Sequence, residues 1–359
     1  MKLAIITDTH FGARNDNQNF SDYFYKFYDE LFFPTLVERG ITTCIHMGDV
    51  MDRRKYVSYK TATDFRQKFI NRFKELNIDL HIIIGNHDTY YKNTSEVNSM
   101  QELVGSDNFK IYTGPEVVEF DGTPILFIPW INSNNYEASM DALETANADI
   151  AMGHLEVNGF EMHKGQMAEG KQEKKLFRRF ETVFSGHFHH KSDDGHIYYL
   201  GTPYEIFWND HDDPKGFHIF DTGTRELERI VNPYTLFEKI YYDDTVNDYS
   251  HMVGPTSTAY DFQKYKEKYV KLIVVNKKDL YQFDLFTDRL LKADAYEVKI
   301  IEDFSELDAN NVSDEIVENT EDTMTLLEKY IDELDVTLDK KRLKNTMKSL
   351  YNEAQDLEL

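Results

Sequence analysis

The sequence of 359 residues lacks several features that define particular classes of protein. It has a single cysteine, Cys44, which excludes an internal disulfide and fits a reducing cytosol. No stretch of about 20 uninterrupted apolar residues occurs, so a membrane span is not expected. The first three residues run directly into an apolar strand pattern, which leaves no room for a signal peptide.

Positive charge is scarce as well. The chain has 40 Lys and Arg against 64 Asp and Glu, which gives a net charge of −24. A protein that binds nucleic acid by itself is usually basic, so any phosphate substrate must be attracted locally, by metal ions, a few cations or a basic partner. Apolar residues make up 41% of the chain and aromatic residues 14%, which is ample for a folded core and excludes global disorder.

The first 232 residues alternate short apolar strands with helical patterns, which predicts a layered α/β domain. Three helices are predicted, at 20–38, 59–76 and 136–145. Pro34 is expected to kink or end the first of them. Later strands are predicted at 109–112, 116–120, 125–129, 196–200 and 216–221. The last two are expected to complete a second sheet.

The pattern of Asp, Asn and His residues at the ends of strands stops near residue 232, and three shorter segments follow. Residues 233–301 are typical of a small mixed α+β domain. Residues 302–322 hold nine acidic residues and no Lys or Arg, which predicts a flexible acidic linker. Residues 323–359 form two helical patterns that are too small for a core of their own, so we expect this pair to dock on another surface. Packing back on its own catalytic domain is the alternative.

Side chains that can bind metals follow the ends of five predicted strands. They are Asp8 with His10, Asp49, Asn86 with His87 and Asp88, His154, and His187 with His189. Because the carboxyl ends of strands meet at the edge where open α/β sheets bind ligands, we expect these side chains to converge. Carboxylate, amide and imidazole groups suit manganese, iron, zinc or magnesium. We predict that Asp49 bridges two ions about 4 Å apart, arranged for in-line attack on a phosphate ester.

In order and type these motifs resemble the calcineurin-like metallophosphoesterases. The motifs are Asp8-x-His10, Gly48-Asp49-x-x-Asp52, Gly85-Asn86-His87-Asp88, Gly153-His154 and Gly186-His187-x-His189. The resemblance implies a four-layer β-sandwich flanked by helices. It implies one ion on Asp8, His10, Asp49 and His189. It implies a second ion on Asp49, Asn86, His154 and His187.

Two residues of the third motif are expected to act in catalysis rather than to bind metal. By resemblance, His87 faces the phosphate and assists the leaving oxygen. We expect Asp88 to orient His87 through a hydrogen bond, as carboxylates beside ligand residues do. The alternative for Asp88 is a loop cap.

Flanking residues narrow the resemblance within this superfamily. Gly85-Asn86-His87-Asp88 has the form found in the nucleases, whereas protein phosphatases carry Gly-Asn-His-Glu. Further matching stretches lie at 128–130, 153–160, 201–203, 213–217 and 220–222. Together they resemble the SbcD/Mre-eleven DNA repair and recombination nucleases, particularly the compact version of large tailed phages. Asp52 stands where archaeal and eukaryotic members carry histidine, which leaves open whether residue 52 contacts phosphate.

This resemblance implies that residues 233–301 are a capping, DNA-binding domain. It also implies a manganese-dependent DNA nuclease, with magnesium as the other possible metal. The expected activities are 3′-to-5′ exonuclease action on double strands and endonuclease action on single strands, within a recombination and repair complex. The expected location is the cytoplasm, that of the host if a phage encodes the chain.

The resemblance also implies protein partners. The first is an SbcC/Rad-fifty type ATPase with long coiled coils, which residues 323–359 would bind. The expected apolar faces are Leu326, Leu327, Tyr330, Ile331 and Leu334, then Leu343, Met347, Leu350 and Tyr351. The second is another copy of the chain, because the family usually forms homodimers through helices beside the active site. Helix 20–38 is a candidate for that contact, with core packing as the default.

Several residues near the motifs allow two interpretations. Arg53, Arg54 and Lys55 could contact a nucleic-acid backbone or form a solvated turn. Tyr90-Tyr91-Lys92 could stack on or clamp a strand end, or could supply packing aromatics. His46 and His81 lie within predicted strands and are expected in the core. Five further histidines are expected to be surface or structural residues: His190, His196, His211, His218 and His251.

Two other functions compete with the nuclease. A small-molecule phosphodiesterase or nucleotidase of the same fold would need no docking tail. A non-enzymatic scaffold with a vestigial metal site would be expected to lose some ligands, whereas all seven predicted ligand positions are filled here.

Overall fold

The computed structural model describes residues 1–104, 109–168, 170–250 and 260–302, with the single residues 331, 340, 343 and 344. The chain divides into two compact units, Met1–Ile300 and Ile301–Leu359. Apart from those single residues and Glu302, the predicted acidic linker and docking helices lie outside the described residues. The boundary at residue 232 and the roles of these segments remain predictions.

The strands are short and are numbered in chain order. They are β1 (Lys2–Ile6), β2 (Thr43–His46), β3 (Asp79–Ile83), β4 (Phe109–Tyr112), β5 (Glu116–Phe120), β6 (Thr123–Ile128), β7 (Ile150–His154), β8 (Glu161–His163), β9 (Gln166–Met167), β10 (Thr182–Gly186), β11 (Ser192–Asp193), β12 (Ile197–Tyr199), β13 (Gly216–Asp221), β14 (Leu227–Val231), β15 (Phe237–Asp243), β16 (Tyr269–Asn276) and β17 (Glu297–Ile301). Two six-stranded sheets have the orders β14-β13-β1-β2-β3-β4 and β11-β12-β10-β7-β6-β5. Strands β1 to β4 are parallel, as are β6, β7, β10 and β12.

Helices occupy the three predicted positions, and two further helices, Ser99–Val104 and Leu280–Leu291, were not predicted. Together they are Gln18–Phe27 with Tyr28–Phe32 and Phe33–Glu38, Tyr59–Asp64 with Phe65–Ile70 and Asn71–Leu76, Ser99–Val104, Tyr136–Thr145 and Leu280–Leu291. The middle segment of each of the first two is π-helical. Of the two outcomes expected at Pro34, a kink or the end of the helix, the second is wrong. The π-helical stretch lies just before Pro34, and the helix then continues to Glu38 with the proline in the opening turn of its last segment, where a missing N–H is tolerated.

Alternating side chains along the strands produce the layers. In β1, Leu3 and Ile5 belong to the core between the two sheets, whereas Ala4 and Ile6 belong to the core shared with the aromatic helices. The outer face of the second sheet has a separate core that includes Leu143 of the helix Tyr136–Thr145. The molecule therefore has the order helix, sheet, sheet, helix, and the predicted α/β four-layer class is confirmed.

One strand lies in a different sheet from the one expected. Strand β12 joins the second sheet as predicted, but β13 pairs antiparallel with β1 and extends the first sheet. The sequence pattern could not assign it, because alternation reports that one face is buried and not which neighbour it pairs with. A third, three-stranded sheet, β15-β16-β17, shares a small core with the helix Leu280–Leu291. In the described parts of the chain, no helix is both long enough and apolar enough to cross a membrane.

Candidate metal centre

Five loops at the carboxyl ends of β1, β2, β3, β7 and β10 carry the predicted ligands. Four of these residues have positive φ, a conformation that is costly for side chains other than glycine: Asp8 (52°), His10 (44°), Asp49 (53°) and His187 (84°). Such strain is stored where the surrounding structure enforces it, which is common at functional sites. The loops approach so closely that a Cβ on Gly85 would collide with the Asp49 backbone and carboxylate. Glycine is therefore required at that position.

The first metal group consists of Asp8, His10 and His189. Each offers a ligand atom, and these atoms lie within 4.8 Å of one another. The Nε2 atoms of His10 and His189 are only 3.2 Å apart, so two imidazole lone pairs can point at one position. The Asp8 carboxylate accepts hydrogen bonds from the Thr7 hydroxyl at 2.6 Å and from the backbone N–H of His187. All three ligands are buried.

The second metal group consists of Asp49, His154 and His187, whose ligand atoms also lie within 4.8 Å of one another. Asn86 joins them, because its Oδ1 lies 3.0 Å from the His154 Nε2. The Nδ1 of His154 donates to the Met47 carbonyl at 2.8 Å, which leaves Nε2 as the nitrogen directed at the ligand cluster. Burial lowers the pKa of His187 well below its ordinary value, an effect that the neighbouring His154 reinforces, so this imidazole is neutral and suited to binding a cation.

Asp49 lies between the two groups. Its Oδ2 is 4.0 Å from the His10 Nε2 and 3.2 Å from the His154 Nε2, while its Oδ1 accepts the backbone N–H of His87 at 2.8 Å. Burial alone would raise the pKa of this carboxyl, but His154 and His87 outweigh it and hold the pKa well below the ordinary value. Burial alone would lower the pKa of His154, but the nearby Asp49 carboxylate favours the imidazolium and raises this pKa to about 9. An anionic carboxylate set between two buried imidazole clusters fits divalent cations.

His87 and Asp88 have different surroundings from each other. The His87 Nδ1 donates to the Asp52 carbonyl at 2.5 Å, and its ring centroid lies 5.0 Å from that of His10. The Asp88 carboxylate instead accepts backbone N–H groups from Gly85, Val50 and Met51. The expected orienting role of Asp88 is therefore corrected. Its oxygens clamp the loops after β2 and β3 together, as in the loop-cap alternative, and a backbone carbonyl orients His87.

Two supports of the site carried no assigned role in the sequence. The Trp130 ring lies 5.1 Å from that of His187 and 6.2 Å from that of His154. On the other side, the buried Lys215 amino group donates to the His189 carbonyl at 2.9 Å. It also pairs with Asp210 at 2.6 Å and Asp213 at 2.8 Å. These carboxylates outweigh burial and raise the Lys215 pKa, so a fixed positive charge holds the backbone of a predicted ligand.

None of the other histidines in the described residues belongs to either metal group. His46 and His81 are buried in strands, where their nitrogens contact the Thr9 hydroxyl at 3.0 Å and the Tyr112 hydroxyl at 2.7 Å, as the core prediction requires. His190 pairs with Asp213 at 3.0 Å, and His196 contacts the Phe180 carbonyl. His218 is buried in β13 and His211 is half-buried. His251 lies outside the described residues. His163, which the sequence did not single out, is buried with its ring 6.1 Å from that of His189.

The chain is similar to several known proteins. The family model of calcineurin-like phosphoesterases matches residues 1–191. The chain is 32% identical over 322 residues to exonuclease subunit 1 of enterobacteria phage T4, covering 88% of this chain and 89% of that protein. Similar solved structures include a novel archaeal phosphodiesterase (15% identity, TM-score 0.33, 65% of this chain and 100% of that one). Another is GAP50, the anchor in the inner membrane complex of Plasmodium (10% identity, TM-score 0.38, 66% and 90%).

The chain belongs to the calcineurin-like phosphoesterase family, because the family match spans more than half of its length and the phage relative covers most of it. The superfamily and the enzyme class predicted from the motifs, a phosphoesterase that uses divalent metals, are confirmed. The assignment of individual residues to individual ions remains a prediction.

Proposed function

We propose that this phosphoesterase cleaves DNA phosphodiesters with two divalent ions and works as the nuclease subunit of an ATPase-coupled repair or recombination complex. The observation that carries the proposal is the position of Asp49, whose Oδ2 lies within 4.0 Å of an imidazole nitrogen from each metal group. The similarity to an exonuclease subunit, which extends over 88% of the chain, supports DNA as the substrate.

The roles of the residues follow from their surroundings. Ions held by the seven predicted ligands would supply the Lewis acidity and the activated water that phosphodiester hydrolysis needs. The buried carboxylates of Asp8 and Asp49 provide negative charge for two cations and are held by hydrogen bonds before substrate arrives. The Asp52 carbonyl accepts from the His87 Nδ1 and stabilises the imidazolium, so the Nε2 proton can pass to the departing oxygen.

The finer points belong to the same proposal. We take manganese as the working metal, with magnesium as the other candidate, because the carboxylate and amide oxygens of the site suit both ions. We assign 3′-to-5′ exonuclease action on duplex ends, endonuclease action on single strands, a second copy of the chain as partner, and a cytoplasmic location. We assign residues 323–359 to binding the coiled coil of an SbcC/Rad-fifty type ATPase. A separate partner with a basic surface would compensate for the net charge of −24.

The first test is cleavage of end-labelled duplex DNA with manganese, with and without the ATPase partner and ATP. Progressive shortening from 3′ ends, stimulated by the partner, is the expected result. A bis-nitrophenyl phosphate diester serves as the control substrate. Hydrolysis of that diester while DNA stays intact under every condition would reject the nuclease and favour the small-molecule phosphodiesterase.

The role of His87 is tested separately. His87→Ala should keep its manganese content but lose about 10²- to 10⁴-fold in turnover, the usual contribution of a positioned proton donor. His211→Ala, which changes a half-buried histidine outside both metal groups, is the matched control and should behave as wild type. Unchanged turnover in His87→Ala would refute the assigned role.

A further inference from the structure

Three exposed tyrosines lie on the loops that follow Asp52 and His87, and a fourth, Tyr59, begins the helix Tyr59–Asp64. Their exposed fractions are 61% for Tyr56, 95% for Tyr59, 41% for Tyr90 and 51% for Tyr91. Within the described residues, only three other tyrosines are comparably exposed, namely Tyr136, Tyr241 and Tyr281. Most aromatic side chains of this protein are buried in its cores, so large rings left in solvent at one place call for an explanation other than packing.

These loops are tied to each other and to His87. The Asp52 carbonyl accepts from the His87 Nδ1, which joins the start of the first loop to the predicted proton donor. Arg54 then donates from Nε to the Thr89 carbonyl at 3.2 Å and from a terminal nitrogen to the Thr89 hydroxyl at 3.1 Å. Tyr56 and Tyr90 each follow one of these cross-links within two residues. Their rings are therefore carried by backbone that is fixed relative to the metal centre.

The charge of these loops is opposite to that of the chain. Residues 53–60 and 89–95 contain five Lys or Arg and no Asp or Glu, in a protein whose net charge is −24. Some of these cations have acidic partners: Arg53 pairs with Asp16, and Lys60 with Asp64. The Arg53 guanidinium also lies 4.7 Å from the Tyr56 ring centroid. Exposed aromatic rings interleaved with cations are the combination that single-stranded nucleic acid recognises, through base stacking and phosphate attraction.

We propose that Tyr56, Tyr90 and Tyr91, here named the tyrosine rim, stack against unpaired nucleobases of the strand whose phosphodiester enters the metal centre. The inference rests on the proposed nuclease function and adds a specificity to it. The rim selects a strand end or a single-stranded segment whose bases are available for stacking. Paired bases of an intact duplex are stacked on one another and cannot make this contact.

The Tyr90 and Tyr91 rings support a stacking site in particular. Their centroids lie 4.7 Å apart at an interplanar angle of 75°, so one ring can present its face while the other buttresses its edge. The Tyr90 N–H donates to the Val97 carbonyl at 2.9 Å, which fixes the backbone at this point. Base stacking of this kind tolerates any sequence, because every base has a π-face. We therefore expect no sequence preference from the rim.

The experiment compares two labelled single-stranded oligonucleotides with the full-length protein and manganese. One has natural bases, and the other has abasic tetrahydrofuran nucleotides at the positions that flank the cleaved bond. Wild type should cleave the abasic strand with a KM about tenfold higher, which corresponds to the loss of stacking on one base. Tyr90→Ala should raise the KM for the natural strand by a similar factor and leave kcat and the abasic substrate nearly unchanged. Tyr90→Phe should restore the wild-type value, because it keeps the ring.

Tyr281→Ala is the matched control, since this tyrosine is 73% exposed on the helix Leu280–Leu291. A second readout uses 2-aminopurine next to the cleaved bond in the His87→Ala background, where turnover is slow. Its fluorescence should be quenched on binding, and Tyr90→Ala should abolish the quenching. The stacking proposal would be overturned if wild type cleaved the natural and abasic strands equally. It would also be overturned if Tyr281→Ala raised the KM for the natural strand as much as Tyr90→Ala does. Failure of wild type to cleave either strand would instead overturn the proposed nuclease function.

Discussion

The two metal groups use the same kinds of side chain but are supported in different ways. In the second group, His154 ends β7, pairs in register with Gly186 of β10 and donates to a carbonyl that follows β2. In the first group, His189 lies beyond its strand, and its carbonyl is held by the side chain of Lys215. His154 of the second group is therefore fixed by sheet backbone, whereas His189 of the first group depends on the buried ionic cluster around Lys215.

This difference indicates that the groups can be perturbed separately, except at Asp49. A change at the shared carboxylate should disable both. A change at Lys215 should act on the first group, and a change at Trp130 on the second. A change at Glu205, whose carboxylate accepts the backbone N–H groups of Leu236 and Phe237, should alter stability rather than metal binding.

The largest effect is expected for Asp49→Asn. The substitution removes the anionic charge shared by the two groups and should lower turnover by about 10³-fold or more, the equivalent of several kcal/mol. Manganese binding, measured by isothermal titration calorimetry, should weaken at both sites. Asp288→Asn, an exposed carboxylate that pairs with Lys292 outside the two metal groups, is the control. Loss of only one ion in Asp49→Asn would contradict the shared position.

A selective effect is expected for Lys215→Met. Because Lys215 holds the His189 carbonyl, affinity at the first group should fall about 10- to 100-fold, as for other residues that position ligands, while the second group keeps its ion. Manganese stoichiometry and the coupling between two ions in electron paramagnetic resonance give the readout.

The Lys215 substitution also leaves Asp210 and Asp213 buried without their cation, which costs roughly 3–5 kcal/mol. The double variant Lys215→Met with Asp210→Asn therefore tests the same point with less loss of stability. Lys174→Met removes a surface pair with Asp194 and is the control. Equal weakening of both metal sites would argue against separate supports.

A smaller effect of the opposite selectivity is expected for Trp130→Leu. The indole packs on His187 and His154, so its loss should loosen the second group and weaken metal binding there by less than about tenfold. The first group should be unaffected. The chain has only one other tryptophan, Trp208, and Trp208→Leu provides the control. A loss confined to the first group would reverse the assignment of supports.

The smallest effect on metal binding is expected for Glu205→Gln, which should change the pH dependence of stability instead. Burial raises the pKa of Glu205 to about 7, although the backbone N–H groups of Phe237 and Leu236 that it accepts oppose the rise. The folded pKa lies above the unfolded value near 4.5, so the folded state binds the proton more tightly. This contribution to stability is full below about pH 4.5 and is lost as pH rises toward 7.

Glutamine cannot ionise, so Glu205→Gln should match wild type at pH 5 and exceed its free energy of unfolding at pH 8. The expected difference is about 2–3 kcal/mol. Urea denaturation at the two pH values measures it. Glu228→Gln, an exposed carboxyl paired with Arg39, is the control. A constant difference across the pH range would show that Glu205 does not titrate in this window.

Much of the fold was accessible from the sequence, because its signals are local. The helix Tyr59–Leu76 and the strands β4 to β6 follow directly from hydrophobic spacing and turn residues. The predicted end of the helix at Pro34 was wrong because the π-helical stretch before it accommodates the ring, and a π-helical turn has no clear sequence signal. Strand β13 was assigned to the wrong sheet because the alternation of apolar and polar residues does not identify the neighbouring strand. The hairpin of β8 and β9 was missed, since strands of three and two residues are too short for a periodic pattern.

The sequence by itself determined the chemistry of this protein: motifs of Asp, Asn and His at five strand ends, whose order is typical of a two-metal phosphoesterase. Those residues lie beside strand signals and can be recognised locally. Only the tertiary structure decided how the site is held. In the folded chain, the Lys215 amino group donates to the His189 carbonyl, and Trp130 packs against His187. The Asp88 carboxylate accepts backbone N–H groups, while the Asp52 carbonyl orients His87. These contacts join residues far apart in the chain, and the directions of hydrogen bonds between them are set by packing, which no local pattern records.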